Sequence, residues 1–436
     1  MPATIVCGCV IAAVVLIDIS TLVSTKALAQ FPRLFGAGAA GARGMLSTIA
    51  GSMITVAGVT FSITIAAVAQ TSAQYTPRVL RTFMSDRANQ TVLGSFLGIF
   101  AYCLVVLRTI RGGDEGAFVP PTAVLGGFLL ALVGVAVLMY FIVHITQSLE
   151  AESVLDRVRS ETERAIDRRF PHQLGEAVEV RVDAAPPSTI RSAWRPMLAH
   201  KSGYVEHVDE EGLLAFACDR GLVIEMLRGV GAFAVAGTAL ARVATSLPRG
   251  QTTASGNDEE ADRESIEHEL NRLYAISPVR SFRQDAAFGI VQLVDIAIKA
   301  LSPGVNDTTT AVTSLGHLTA VLARLAPRRM PEPIRLANGV VRVIAISPTF
   351  SGLVGQALDD VRRSADGNVT ILDKLIEALR TVGECTRELQ RRQVLAEQIR
   401  FIAELIPRTV EAPEDRAFLV RRTEIASRQL SLPLTT

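Results

Sequence analysis

The chain lacks an excess of either charge. Of its 436 residues, 44 are Lys or Arg and 43 are Asp or Glu. That balance excludes a strongly cationic nucleic-acid binder, which needs a concentrated basic face. Lysine is scarce, occurring only at positions 26, 201, 299 and 374. No Gly-x-x-x-x-Gly-Lys phosphate loop is present, so the usual ATPase or kinase chemistry has no carrier. There is no Gly-x-Ser-x-Gly nucleophile elbow. Five cysteines, an odd number without framework spacing, exclude a disulfide scaffold. The histidines at 144, 172, 200, 207, 268 and 317 form no ligand pair at helical spacing, so no metal is expected. His268 lies between Glu267 and Glu269, a pattern read as a solvated helix face. These absences predict a protein that is not an enzyme and carries no cofactor.

What the chain has is apolarity. Hydrophobic residues make up 49% and charged residues 20%, which excludes a disordered chain. Almost all of the excess precedes residue 150. Four runs there are long enough to span a bilayer, which takes about 20 helical residues. They lie at about 3–23, 45–69, 91–107 and 122–145. The first contains Cys7, Cys9 and one acid, Asp18. It is read as an anchor and not a cleaved signal: Ala27-Leu28-Ala29 resembles a cleavage site, but no basic segment precedes the run. The third carries Gly94 and Gly98, a spacing that lets two helix backbones approach closely.

The second run is uncharged yet polar. At a period of 3.6 residues, one face reads Gly44, Thr48, Gly51, Ser52, Thr55, Gly58, Val59, Ser62, Ala66, Ala69 and Gln70. Lipid does not select such a stripe; helix neighbours or water do. Orientation follows Lys and Arg in the short flanks. Arg78, Arg81 and Arg87 share a side with Arg157, Arg159, Arg164, Arg168 and Arg169, against Lys26, Arg33, Arg43, Arg108 and Arg111. The bias places the C-terminal part in the cytoplasm.

Residues 149–171 read as a connecting helix with an apolar stripe at Val154, Leu155, Val158 and Ile166, ended by Phe170-Pro171. Residues 172–250 read as a small β-rich domain. Val178–Val182 alternates with period two, and Ser202–Val208 and Leu222–Leu227 are further strands. Asp209 caps a helix over Glu210–Asp219, closed by Gly221. The run Gly229–Val243 resembles half of a biotinyl- or lipoyl-type barrel-sandwich, but no lysine stands on a hairpin tip, so neither modification is implied. Residues 251–262 have linker composition, and 263–436 read as a helical domain. The fold class is therefore a polytopic α-helical membrane protein of about four transmembrane helices. A cytoplasmic α+β region follows, with a small β-rich domain and then a helical one.

Several segments carry a resemblance. Gly51–Ser62, Gln74–Arg81 and Val92–Gly98 occur in the order found in a bacterial family of predicted integral membrane proteins, domain of unknown function 2254. Arg283-Gln-Asp285 with Phe288-Gly289, Gln292–Ala297 and Ala300–Asp307 are also similar to it. The resemblance implies a multi-pass protein of the bacterial inner membrane and supplies no activity.

Two sets of residues are candidates for function. In the first, Thr48, Ser52, Thr55, Ser62 and Gln70 form a face that either packs on neighbouring helices or lines a water-filled path in a homo-oligomer. In the second, Arg280, Arg283, Asp285, Asp295, Asn306 and Asp307 form a polar cluster. The arginines could bind an anion facing free helix amides. An Asp295–Lys299 pair, a Ser302-Pro-Gly304 turn and a cap on a helix from Thr308 would explain the same residues structurally. The two functional expectations are an oligomeric channel gated by its cytoplasmic domains, or a membrane-tethered scaffold or sensor for a cytoplasmic partner or small ligand.

Overall fold

The computed structural model describes residues 1–22, 38–74, 87–111, 118–148, 151–170, 194–245, 256–282 and 284–431. They divide into two compact units, Met1–Val154 and Leu155–Thr436.

Among the described residues the first unit has four helices: α1 (Pro2–Leu22), α2 (Ala39–Gln74), α3 (Arg87–Thr109) and α4 (Pro121–Ser148). All four are long and apolar enough to cross a membrane. α3 packs against each of the other three. Its inward side chains include Phe96, Ile99, Tyr102 and Val106, all buried. Glycine sets the approach distances. A Cβ at Gly94 would lie 2.9 Å from Pro2 Cα, and one at Gly98 would lie 2.8 Å from Cys9 Sγ. The close helix contact expected from this pair is thus made with α1. On α4, a Cβ at Gly126 would lie 2.5 Å from Tyr102 Oη, whose hydroxyl donates to Ala123 O at 2.7 Å. Where α1 and α4 turn outward they show Ile11, Val14, Val15, Leu129, Leu132, Val135 and Ile142, each about half exposed. Asp18 is exposed within the last two turns of α1.

The second unit begins with α5 (Ala151–Arg169), which stops just before Phe170 as proline at 171 requires. Then follow β1 (Arg195–Leu198), β2 (Gly203–Val208), α6 (Glu210–Asp219), β3 (Leu222–Met226), β4 (Phe233–Ala234) and β5 (Ala239–Thr245). The Asp209 carboxylate accepts from Gly212 N at 2.9 Å, and Gly221 follows α6 at φ 64, both as expected. The strand expected at Val178–Val182 lies outside the described residues.

The remaining elements are α7 (Gly256–Arg272), β6 (Tyr274–Ser277), α8 (Ala286–Leu301), α9 (Thr308–Leu325), β7 (Ile334–Ala337), β8 (Val340–Ile344), α10 (Phe350–Ser364), α11 (Val369–Glu384), α12 (Leu389–Thr409) and α13 (Pro413–Ser431). Two sequence expectations differ from this. Half of the 251–262 linker is the start of α7, and the 263–436 region holds three strands. Those strands complete the sheets of the expected β-domain, so 172–250 does not stand apart. One sheet has the order β1-β5-β3-β8-β7, with β3 and β8 parallel and the other pairs antiparallel. The other has the order β4-β2-β6, all antiparallel. The barrel-sandwich resemblance gave the order of turn, strand, glycine and strand correctly, but β4 and β5 belong to different sheets. Physically, the β2–β5 strands alone leave Val205, Ile224 and Val243 without cover. Leu270 and Tyr274 before and on β6, with Val343 on β8, share that core.

Candidate functional site

α2 has two opposite faces. Leu46, Met53, Ala57 and Thr60 are buried and turn toward the helix bundle. Gly44, Thr48, Gly51, Ser52, Thr55, Gly58, Ser62 and Gln70 are all exposed, about half a turn away. Among the described residues, the stripe therefore packs against none of the chain's own helices. Gly44, Gly51 and Gly58 stand seven residues apart, and a Cβ on any of them would meet nothing within 4 Å. Each is followed four residues later by a hydroxyl that bonds back to it. Thr48 and Thr55 donate to Gly44 O and Gly51 O at 2.8 Å, and Ser62 donates to Gly58 O at 2.9 Å. The hydroxyls are thus satisfied within the helix, as expected. The stripe presents a smooth, weakly polar surface with no charge.

The second candidate set does not converge. Asp285, on the turn before α8, is 5% exposed. Its carboxylate caps α8 through Phe288 N at 2.9 Å and pairs with Arg280 Nη2 at 2.7 Å. The Arg280 guanidinium also lies over the Phe288 ring, 5.1 Å from its centroid. Gly231, at φ 85, leaves the space this pair occupies: a Cβ there would lie 2.6 Å from Asp285 Oδ2. Asn306 and Asp307 stand at the opposite end of α8. Sixteen helical residues at about 1.5 Å each put roughly 24 Å between the two ends. Asn306 has φ 48, a left-handed conformation that asparagine tolerates. Asp307 caps α9 through Thr310 N at 3.0 Å and Thr310 Oγ1 at 2.6 Å. The Thr310 hydroxyl, then its amide, hold the Asp307 carboxyl below its ordinary range. Asp295 is half-buried midway along α8, and Arg283 lies outside the described residues. Among the described residues the set divides into a capped ion pair and a cap, the structural alternative expected for these residues.

The sequence reading missed a different charged cluster. Asp167 on α5 takes Arg324 Nη2 at 2.5 Å, from the end of α9, and Arg328 Nη2 at 2.6 Å, from the turn after it. Glu210 at the start of α6 takes Arg169 Nη1 at 3.0 Å and Arg335 Nη2 at 3.3 Å. The partners are more than a hundred residues apart in three of these four contacts, so no local spacing announced them. Among the described residues, no group of three or more His, Cys, Asp or Glu side chains could hold a metal ion.

Four apolar helices followed by a mixed α and β unit match one family model. The model is described as a predicted membrane protein (DUF2254), and it covers residues 1–381. The chain belongs to that family. DUF2254 relatives among curated proteins include the uncharacterized protein MT1328 of Mycobacterium tuberculosis (strain CDC 1551) and the uncharacterized protein Mb1321c of Mycobacterium bovis. Each is 31% identical over 393 residues, which is 89% of this chain and 73% of the relative. No solved structure matches this DUF2254 chain. The family model ends within α11, so α12 and α13 lie beyond it.

Proposed function

We propose that this protein is a homo-oligomeric passive conduit of the bacterial inner membrane. The outward stripe of α2 forms its wall, and the second unit, on the cytoplasmic side, gates it. One observation carries the reading. α1 and α4 turn large apolar side chains outward, as lipid contact requires, whereas α2 carries, beside its own exposed Ile54, Phe61, Ile63 and Ile65, an outward stripe of glycine, threonine and serine broken only by Val59 and alanines. A small, hydroxylated stripe of this kind favours water and other copies as its surroundings, while the apolar side chains beside it suit lipid. Hydroxyls already bonded to their own helix hold a passing solute weakly, and conduction needs weak binding. The arginines flanking the loop after α2 and the end of α4 support the cytoplasmic placement of the second unit.

The test is flux of ions and small dyes through liposomes carrying the purified protein, with Thr55→Leu in parallel. Flux that the variant changes, at unaltered melting behaviour, is the expected result. Absence of flux across voltage and osmotic tension would sink the conduit and leave a membrane-tethered scaffold or sensor with a cytoplasmic partner.

A further inference from the structure

The last four helices of the second unit treat their outer faces differently. On α10, α11 and α12, outer charges are paired along the same helix: Arg363 with Asp360, Arg380 with Glu384, and Arg400 with both Glu397 and Glu404. Among the described residues, those three helices expose one large apolar side chain, Leu389 at the very start of α12. α13 is the reverse. Leu419, Thr423, Ala426 and Leu430 form its buried face, and it packs on α11 and α12. Its other side shows Phe418 at 39% and Ile425 at 52% exposure, seven residues apart and therefore on one stripe. Glu414, Arg421 and Arg428 follow one flank of that stripe and are exposed. Among the described residues, the α13 side chain that does form an ion pair is Arg422, with Asp373 of α11, and the three flanking charges form none.

The stripe is self-complementary. Phe418 and Ile425 are centred on nearly the same point as Glu414 and Arg428, close to Arg421. Turn a second copy end for end about a two-fold axis there. Phe418 then meets Ile425 of the second copy, and Glu414 meets its Arg428 on the same flank, each contact occurring twice. Near the axis, Arg421 lies within about one turn of Glu424 on its own helix and on the second copy. Antiparallel helix dipoles add attraction. A parallel contact would instead set Arg428 on Arg428 and Glu414 on Glu414, which repel. α13 has 19 residues and is about 28 Å long. One helix face of that length buries less than the roughly 1,200 Å² of a free-standing dimer. The contact therefore suits copies that a shared membrane already concentrates.

We propose that the outer stripe of α13 is a docking surface for a second copy of this chain, in an antiparallel two-fold contact. It uses no residue of the α2 stripe and stands or falls separately from the conduit.

The test is disulfide cross-linking of the full-length protein in liposomes. Copies carrying Phe418→Cys are reconstituted together with copies carrying Ile425→Cys and oxidised with copper phenanthroline. Trypsin cuts after Arg421 and Arg422, so the two positions fall in different peptides, and linked masses report register with the native cysteines in place. The 418–425 link should exceed the 418–418 and 425–425 links at least threefold. Arg428→Glu in both copies should lower it at least threefold, and Glu414→Arg added to Arg428→Glu should restore it to within twofold. Melting behaviour should be unchanged, since every substituted side chain is exposed. Like-with-like links that equal or exceed the 418–425 link would mean a parallel contact and overturn the proposal. A 418–425 link indifferent to Arg428→Glu would overturn it as well. So would the absence of any link, and quenching of a dye on Ile425→Cys by spin-labelled lipid would then give this face to the bilayer. Flux through protein that forms no link would leave the conduit standing alone, and a link in protein that passes no flux would do the opposite.

Discussion

Glycine is used in two opposite ways within the first unit. Gly98 on α3 and Gly126 on α4 each stand where a single added carbon would strike a neighbouring helix. Gly44, Gly51 and Gly58 on α2 stand in open space, although their spacing is the more regular. The first pair has been given its partner by the chain's own fold. Among the described residues the second set has none, and its regularity, seven residues at each step, is that of a gently supercoiled contact between helices. The difference shows that small residues in a span report close approach without saying whose surface approaches.

Substitution at the two kinds of glycine should separate them. Gly126→Leu drives a side chain into Tyr102 and displaces its hydrogen bond to Ala123 O. It should cost about 3 kcal/mol of stability in the membrane unit, at the upper end for overpacking, and be seen as a lowered midpoint in denaturing-detergent titration. Gly98→Leu should cost about 2 kcal/mol by the same measurement, since the Cys9 side chain it meets can rotate away. Gly51→Leu should leave that midpoint within about 0.5 kcal/mol, because nothing among the described residues is displaced. Its effect should appear instead in self-association, as a roughly tenfold weakening, about 1.4 kcal/mol, in dilution-dependent energy transfer between labelled copies in lipid. Equal midpoints for Gly126→Leu and Gly51→Leu would erase the comparison. Thr48→Val should be the mildest change, about 0.5 kcal/mol in association, since its hydroxyl is already bonded to Gly44 O.

Much of the architecture was legible because its signals are local. Spans, the Asp209 cap, Gly221, the end of α5 before proline 171 and the Asp307 cap each depend on residues within a turn or two of one another. The strands beyond residue 263 were not legible in that way. β6 has four residues, too few to display a period, and it is a strand because β2 pairs with it. The β7–β8 hairpin did carry a local signal that was passed over. Asn338-Gly339 at φ 52 and φ 74 is a two-residue turn between runs of Ile, Leu and Val, the sequence pattern most typical of a tight hairpin. The polar cluster of 280–307 looked like one site because its members are near in sequence. A straight helix between them puts its two ends about 24 Å apart.

The sequence by itself determined that four helices are apolar enough to span, where a mixed unit begins, and that one face of α2 is small and hydroxylated. Those properties follow from composition and from the period of a helix, which every residue carries with it. Which way that face turns, which glycines are filled, and which arginines hold Asp167 were decided only by tertiary packing. A helix has the same two sides in any setting, and only its neighbours determine which is buried.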